Sequence, residues 1–228
     1  MRLILDFWHS TIGKKFVMAV TGLIGVGFVI GHMLGNLQQF LGPARMNAYA
    51  AFLKSTGELL WIARLGLIAA TILHVLMAWQ LTQIKRAARP VDYVQRTPQV
   101  STVASRSMRW GGLLLLIFIV FHILHFTTGT VFPVASRPDT QYPAFSHTDV
   151  YGNVVSAFRN PWVVAFYVIA MFFLLLHLFH GAWSSVRTLG LSKPSADPLH
   201  RRVSTLIAII VWLGFTAIPV AVFLGLVR

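Results

Sequence analysis

The stretch Lys15–Gln38, KFVMAVTGLIGVGFVIGHMLGNLQ, decides the fold of this chain. It carries one charged residue, at its first position, and one histidine, His32. A helix rises about 1.5 Å per residue, so about 20 apolar residues cross a hydrocarbon core of about 30 Å. The stretch therefore predicts a transmembrane helix. Its histidine is a candidate functional residue, because a titratable ring is costly in hydrocarbon.

Four further stretches have the same apolar character. The predicted spans are about 15–38, 59–84, 110–131, 161–186 and 203–227. The chain is 56% hydrophobic and only 11% charged, against about 25% charged residues in soluble domains. We therefore predict an all-α, polytopic membrane protein in which residues 1–228 form a single transmembrane domain.

Composition also limits the chemistry. The chain has no cysteine, which excludes disulfides, iron–sulfur clusters, thiolate ligation and covalent haem attachment within it. The net charge of +13 does not predict a nucleic-acid partner, because basic residues collect on the cytoplasmic loops of membrane proteins. We do not expect a cleaved signal peptide, because the first span is too long for the apolar core of one and no small-residue cleavage site follows it.

The basic residues divide unequally between the two sides of the predicted bundle. One side carries Arg2, Lys14, Lys15, Lys85, Arg86, Arg89, Arg96, Arg106, Arg109, Arg187, Lys193, Arg201 and Arg202. The other carries Arg45, Lys54, Arg137, Arg159 and Arg228. The positive-inside rule then predicts a cytoplasmic N-terminus and an outer C-terminus, which suits an odd number of spans. This pattern is typical of a bacterial cytoplasmic membrane protein.

Four of the spans each carry a histidine, and depth sorts these into two levels. Measured from the basic ends of their helices, His32 and His122 lie about 25 and 20 Å deep, and His74 and His177 about 16 and 15 Å. We predict an outer pair of His32 with His122 and an inner pair of His74 with His177. Two haems, each held by two histidines on different helices, fit these levels, since bis-imidazole ligation suits electron transfer.

Two neighbouring histidines leave the ligands open. His125 lies one turn from His122 and matches the depth of His32 even better, and His180 lies one turn from His177. The depth of His180, about 10 Å, does not match that of His74. His9, His147 and His200 lie in polar flanks, where we expect them to be solvated.

Other residues near the histidines suit a large apolar cofactor. Small residues that would make room for it are Gly22, Gly25, Gly27, Gly31, Ala69, Ala70 and Gly181. Ordinary close packing of helices explains any single one of them equally well. Arg109 and Arg187, and Arg64 at the opposite end, are candidates for binding the haem propionates, or for anchoring their helices at the interface.

Several motifs resemble one family of membrane proteins. These are STIGKKFVMAVTGL at Ser10–Leu23, IGHMLGNL at Ile30–Leu37, LWIARLGL with a later LH within Leu60–His74, FHILHF at Phe121–Phe126, and HLFHGAWS with a later LG within His177–Gly190. Together they resemble the two-haem cytochrome b anchor subunit of succinate dehydrogenases and fumarate reductases, over nearly the whole chain.

The resemblance implies a set of cofactors and partners. It implies two haem b groups, one held by His32 and His122 and one by His74 and His177, with His125 and His180 nearby. It also implies docking of a flavoprotein and an iron–sulfur subunit on the cytoplasmic face. Electrons from succinate would then reach a quinone, most often menaquinone in this class, through the inner and then the outer haem. The whole complex could form oligomers.

Quinone reduction needs a proton donor near the head group. Glu58, at the outer start of the second span, and His125 are the candidates. The shorter spacing from Glu58 to His74 fits the family's glutamate poorly, and an interfacial Glu58 facing solvent is an equally good interpretation.

Two other classes of protein compete with the main hypothesis. One is the cytochrome b subunit of a hydrogenase or a formate dehydrogenase. The other is a transporter with a histidine relay, which the lack of carboxylates inside the spans disfavours.

Overall fold

The computed structural model describes residues 2–88, 91, 101–138, 141–142 and 144–228, and the regular structure in these residues is helical throughout. Arg89 and Arg96, two of the basic residues of the loop between the second and third spans, lie outside the described residues, as do 139, 140 and 143. The α-helices are α1 Arg2–His9, α2 Thr11–Asn36, α3 Pro43–Ser55, α4 Glu58–Ala87, α5 Val103–His122, α6 Phe132–Ala135, α7 Val150–Phe158, α8 Pro161–Thr188 and α9 Asp197–Phe223.

Five helical segments are long and apolar enough to cross a membrane. They are Thr11–Leu41, Glu58–Ala87, Val103–Thr127, Pro161–Thr188 and Asp197–Phe223. The first continues α2 through a 3₁₀ turn at Leu37–Leu41, and the third continues α5 through a π-helical turn at Ile123–Thr127. The prediction of an all-α, polytopic membrane protein is confirmed.

The third and fifth spans are displaced from their predicted limits. Helix α5 begins at Val103 because the hydroxyl of Thr102 accepts a hydrogen bond from the Ser105 amide at 3.1 Å and caps the helix. The third span ends at Thr127, ahead of Gly129, whose φ of 72° breaks the helix. The fifth span begins earlier than predicted, with a proline in its first turn, where no amide donor is needed.

Helices α2 and α8 form the centre of the bundle. They pack against each other, α9 packs against both, α4 packs against α2, and α5 packs against α8. Between α2 and α9, Gly214 allows the Met33 side chain to approach closely, because a Cβ at Gly214 would lie 2.4 Å from the Met33 sulfur. In contrast, α4 does not pack closely against α8, and α2 does not pack closely against α5.

One end of the bundle is covered by short helices, and we call it the cap end. Helix α7 packs there against α3, α8 and α9, and Tyr151–Phe158 are buried. The sequence did not predict this helix, because its nine residues are too short to span a membrane and lie in a connection that contains proline, serine and aspartate. The long connection between the third and fourth spans therefore covers this end of the bundle.

Lys14 has a structural role that its place among the basic loop residues did not predict. Its side chain is only 6% exposed, and its Nζ donates to the carbonyl oxygens of Trp8 and His9 at 2.8 and 3.0 Å. These carbonyls belong to the last turn of α1, a helix that the sequence analysis did not identify. A cation at a helix C-terminus satisfies carbonyls that have no partner within the helix.

Asn47 joins the cap to the bundle and provides a test of the fold. Its Nδ2 donates to Asp149 at 2.9 Å, and its Oδ1 accepts from the Tyr151 amide at 3.0 Å. We expect Asn47→Ala to lower the free energy of unfolding by about 1–3 kcal/mol, because two partly buried polar groups lose their partner. A lowered thermal midpoint in detergent measures this. Ser55→Ala, on the exposed end of α3, is the control, and equal midpoints for the two variants would contradict the assignment.

Candidate functional site

The four predicted histidines lie in two facing pairs. His32 on α2 faces His122 on α5 with ring centroids 5.8 Å apart, and His74 on α4 faces His177 on α8 at 6.1 Å. We call these the cap-side pair and the far-side pair. The structure thus brings together the same residues that the depth argument paired.

Each pair joins two helices that do not pack closely against each other, α2 with α5 and α4 with α8. Directly packed helices have axes about 8–10 Å apart, and these two helix pairs are held apart by the arrangement of α2 and α8 at the centre. An imidazole nitrogen binds a first-row transition metal at about 2 Å, so two rings on opposite sides of one iron have centroids about 6 Å apart. The pairs therefore have the ring separation that bis-histidine ligation requires.

The far-side pair is oriented by α2. His74 Nδ1 lies 3.0 Å from the Met18 carbonyl oxygen and 3.3 Å from Thr21 Oγ1. The carbonyl can only accept, so the Nδ1 of His74 carries the proton and Nε2 keeps a lone pair for a metal. A Cβ at Gly22 would lie 3.2 Å from the His74 ring, so this glycine lets the ring lie against α2.

His177 has a buried nitrogen without a protein partner. Its Nδ1 has no hydrogen-bond partner within the described part of the chain. A buried polar atom left unpaired costs about 1–3 kcal/mol, so such atoms normally have a partner. The unpaired atom is Nδ1, so Nε2 remains the nitrogen of His177 that is available to a metal.

The cap-side pair is enclosed by aromatic rings. Phe28 stacks on His32 with centroids 5.2 Å apart, and Phe118 stacks on His122 at 5.6 Å. His122 Nδ1 lies 3.3 Å from the Tyr167 hydroxyl, which leaves Nε2 free. The sequence analysis missed Tyr167, although it is the only tyrosine within the five predicted spans and a hydroxyl in an apolar run was an available signal.

His125 does not face His32. It lies in the π-helical turn, is fully buried, and has both ring nitrogens in hydrogen bonds, with Nδ1 3.1 Å from Tyr167 Oη and Nε2 3.1 Å from Ser136 Oγ. A ring with both nitrogens engaged has no free lone pair for iron. The geometry therefore favours His122 as the ligand on the third span. π-helical turns often occur at functional sites.

The remaining candidate residues lie away from the two pairs. The His180 ring contacts Trp183 with centroids 6.3 Å apart, and Glu58 is exposed at the first position of α4. His200 Nδ1 lies 2.8 Å from Ser192 Oγ, and the His147 carbonyl accepts from Lys54. His9 is exposed next to the capped end of α1.

The arginine candidates for the propionates occupy helix ends. Arg187 pairs with Asp197 at 3.4 Å and stacks on Trp183, Arg64 stacks on Trp61, and Arg109 is exposed. Arg187 also lines a cavity of about 390 Å³ together with Lys15 and Trp183, whose Nε1 is buried without a partner in the described residues. This recess is therefore a cationic site with an unused donor.

The two pairs lie at different depths. His74 contacts α2 at Met18 and Thr21, and His32 follows eleven residues after Thr21, which corresponds to about 16 Å of helix rise. On α8, Tyr167 beside His122 and His177 are ten residues apart, which gives about 15 Å. The distance between the two pairs along the bundle is larger than the depths estimated from the sequence. Those depths were measured from basic residues such as Arg109, but α5 begins at Val103, so Arg109 does not mark the end of its helix.

An apolar cavity lies near the cap-side pair. Its volume is about 610 Å³, and its lining includes Phe121, Val163, Phe166, Thr130 and Asn160. The Phe121 ring lines this cavity and also contacts His125, with ring centroids 5.2 Å apart. An apolar cavity with a few polar groups is typical of a small-molecule site.

Comparison with protein-family models, with curated proteins and with solved structures finds no match for this chain. Among the described residues, no three His, Asp or Glu side chains converge as a metal site built from protein ligands alone would require. Each histidine pair therefore supplies only two protein ligands.

The geometry around Gly22 can be tested by cross-linking, because the chain has no cysteine of its own. A Cβ at Gly22 would lie 3.6 Å from the Ser185 hydroxyl on α8, within the reach of a disulfide. We expect Gly22→Cys with Ser185→Cys to form an intramolecular disulfide, detected by mass spectrometry of the linked peptides.

The matched control is Gly25→Cys with Ser185→Cys. A Cβ at Gly25 would meet no atom within 4 Å, so this variant should stay reduced. Equal cross-linking of both variants, or of neither, would show that α2 and α8 do not meet as described.

Proposed function

We propose that this protein is a di-haem cytochrome b, the membrane anchor of a succinate:quinone oxidoreductase. The observation that supports this best is the presence of two histidine pairs with the spacing of axial ligands, each between helices that are held apart. His32 and His122 would hold one haem b, and His74 and His177 the other. The sequence motifs that resemble the anchor subunits of succinate dehydrogenases and fumarate reductases support the assignment to this type of complex.

The chain's own residues would do two things for the cofactors. Bound haem would supply one-electron transfer, and a histidine pair at each haem would favour this chemistry over oxygen binding. The protein fixes the ligand rings through Met18, Thr21 and Tyr167, and it surrounds the cap-side rings with phenylalanines that exclude water. Lys15 and Arg187, at the recess on the far side, would bind propionate groups.

The charge distribution supports the proposed orientation in the membrane, and the resemblance to the anchor subunits supports the proposed partners. We place the basic, far end in the cytoplasm of a bacterial cell and the C-terminus outside. A flavoprotein and an iron–sulfur subunit would dock on that basic face and deliver electrons from succinate. The chain has no cysteine with which to hold clusters itself, so it would be the haem- and quinone-carrying part of the enzyme.

The quinone, which the resemblance indicates is menaquinone, would be bound near the cap-side pair. The cavity of about 610 Å³ beside Phe121 has the apolar lining that a quinone ring needs. His125 contacts the Phe121 ring and Glu58 is exposed at the same end of the bundle, so either side chain could supply protons to the quinone.

The first test is the absorbance of the protein purified from its native membrane. We expect a reduced-minus-oxidised difference band of b-type haem and about two haems per chain, because there are two ligand pairs. Protein that folds without any haem absorbance would contradict the proposal, and a histidine transporter would be colourless.

The same preparation distinguishes the kinds of dehydrogenase. Copurification of a flavoprotein and an iron–sulfur protein, with haem reduction on adding succinate, supports the anchor assignment. Haem reduction by hydrogen or formate with different partners would instead identify the cytochrome b of another quinone-linked dehydrogenase.

The ligands are tested by single substitutions. We expect His74→Ala and His177→Ala to lose the far-side haem and keep the other, and His32→Ala and His122→Ala to do the reverse, since each haem needs both its rings. Haem content and the difference spectrum measure the loss.

His180→Ala is the control, because His180 lies on the same helix as His177 and outside both pairs. It should retain two haems. Retention of both haems by His122→Ala, together with loss of one by His125→Ala, would show that His125 is the ligand on the third span.

A further inference from the structure

His122 is the first member of a buried chain of hydrogen-bonding groups. Tyr167 Oη lies 3.3 Å from His122 Nδ1 and 3.1 Å from His125 Nδ1, and His125 Nε2 lies 3.1 Å from Ser136 Oγ. Tyr167 and Ser136 are each 6% exposed and His125 is fully buried. The chain therefore runs from the cap-side pair through α8 and the π-helical turn to the end of α6.

When the Tyr167 hydroxyl donates its own proton within this chain, the protons have only two arrangements. A neutral imidazole has one donor and one acceptor nitrogen, and a hydroxyl donates one proton. In the first arrangement His122 donates to Tyr167, Tyr167 donates to His125, and His125 donates to Ser136. In the second, every donation is reversed, and His122 carries its proton on Nε2.

Only the first arrangement is compatible with a metal ligand. It places the His122 proton on Nδ1 and leaves the Nε2 lone pair free, whereas the second blocks Nε2 with a proton. It also requires His125 to accept at Nδ1 and donate at Nε2, so both nitrogens of His125 take part in hydrogen bonds and neither is available to a metal. His74 reaches the same state by a different route, since its Nδ1 faces the Met18 carbonyl.

We propose that Tyr167, held in place by His125 and Ser136, is the positioning residue that fixes the tautomer and orientation of His122 as a ligand of the cap-side haem. This inference rests on the proposed function. Tyr167 touches His122 but does not face His32, and it acts through the His122 ring. Hydrogen bonds to the second nitrogen of a ligating histidine fix its orientation and raise its basicity.

The effect on the cofactor has a definite sign. An imidazole that donates its N–H to Tyr167 gives more electron density to the iron, which stabilises the ferric form. Removal of the hydroxyl should therefore raise the midpoint potential of the cap-side haem. The potential of the far-side haem should not change, because its histidines have no contact with Tyr167.

The experiment is a redox titration of the purified, haem-containing protein, followed by its difference spectrum. The two haems are told apart with the ligand variants His74→Ala and His32→Ala. We expect Tyr167→Phe to raise the potential of the cap-side haem alone. Tyr151→Phe is the matched control, because Tyr151 is also buried at the cap end but its hydroxyl donates to the Arg228 carbonyl at 2.8 Å. Unchanged potentials in Tyr167→Phe, or equal shifts in both variants, would overturn the assignment.

If Tyr167→Phe does not retain the cap-side haem, a second pair of variants, both at His125, tests the same proposal. His125→Leu removes the acceptor of the Tyr167 hydroxyl, whereas His125→Asn places a carbonyl oxygen near the position of Nδ1. We expect a smaller rise of the same potential in His125→Leu and a value close to that of the unsubstituted protein in His125→Asn. Equal potentials in the two variants would overturn the proposal. Unsubstituted protein without haem would instead contradict the proposed function itself.

Discussion

A histidine ring inside a hydrocarbon layer must be given a partner, and this constraint shapes the centre of the bundle. Each of the two facing histidine pairs joins helices that do not pack directly, α2 with α5 and α4 with α8. The bundle is therefore built around α2 and α8, which meet each other and α9. Two gaps remain at the flanks, and the histidine rings point across them. A bundle packed tightly throughout would have no place for these rings except as unpaired polar groups, which are expensive to bury.

The two pairs are oriented by different means. On the far side, a backbone carbonyl of α2 fixes His74, and a glycine lets the ring approach. On the cap side, a tyrosine from α8 contacts His122 and is itself held by a second histidine and a serine. A carbonyl is always an acceptor, whereas a hydroxyl can reverse its role. The cap-side arrangement therefore depends on groups that lie further along the chain of hydrogen bonds, in the turn after α5 and at the end of α6.

Much of this organisation could be predicted from the sequence, and the misses have physical causes. The apolar runs located all five spans, and the depth of four histidines gave the pairing that the ring contacts now show. Helix α7 was missed because nine residues are too few for a span and the connection around them contains proline, serine and aspartate. Helix α1 and the buried Lys14 were missed because a charge near a helix start resembles an interfacial anchor until its carbonyl partners are known. The third span was misplaced because a threonine cap and a glycine break are weak local signals.

The sequence by itself determined the class of protein, the number of spans, and which polar residues lie within them. These properties depend on hydrophobicity and helix rise, both of which are local. Only the tertiary structure shows which of His122 and His125 faces His32, because residues three apart share a helix face and differ only in what approaches them from other helices. His122 faces His32 across a gap, whereas His125 has both nitrogens bound by Tyr167 and Ser136. Contacts between residues far apart in the chain assign different roles to two rings that the sequence leaves equivalent.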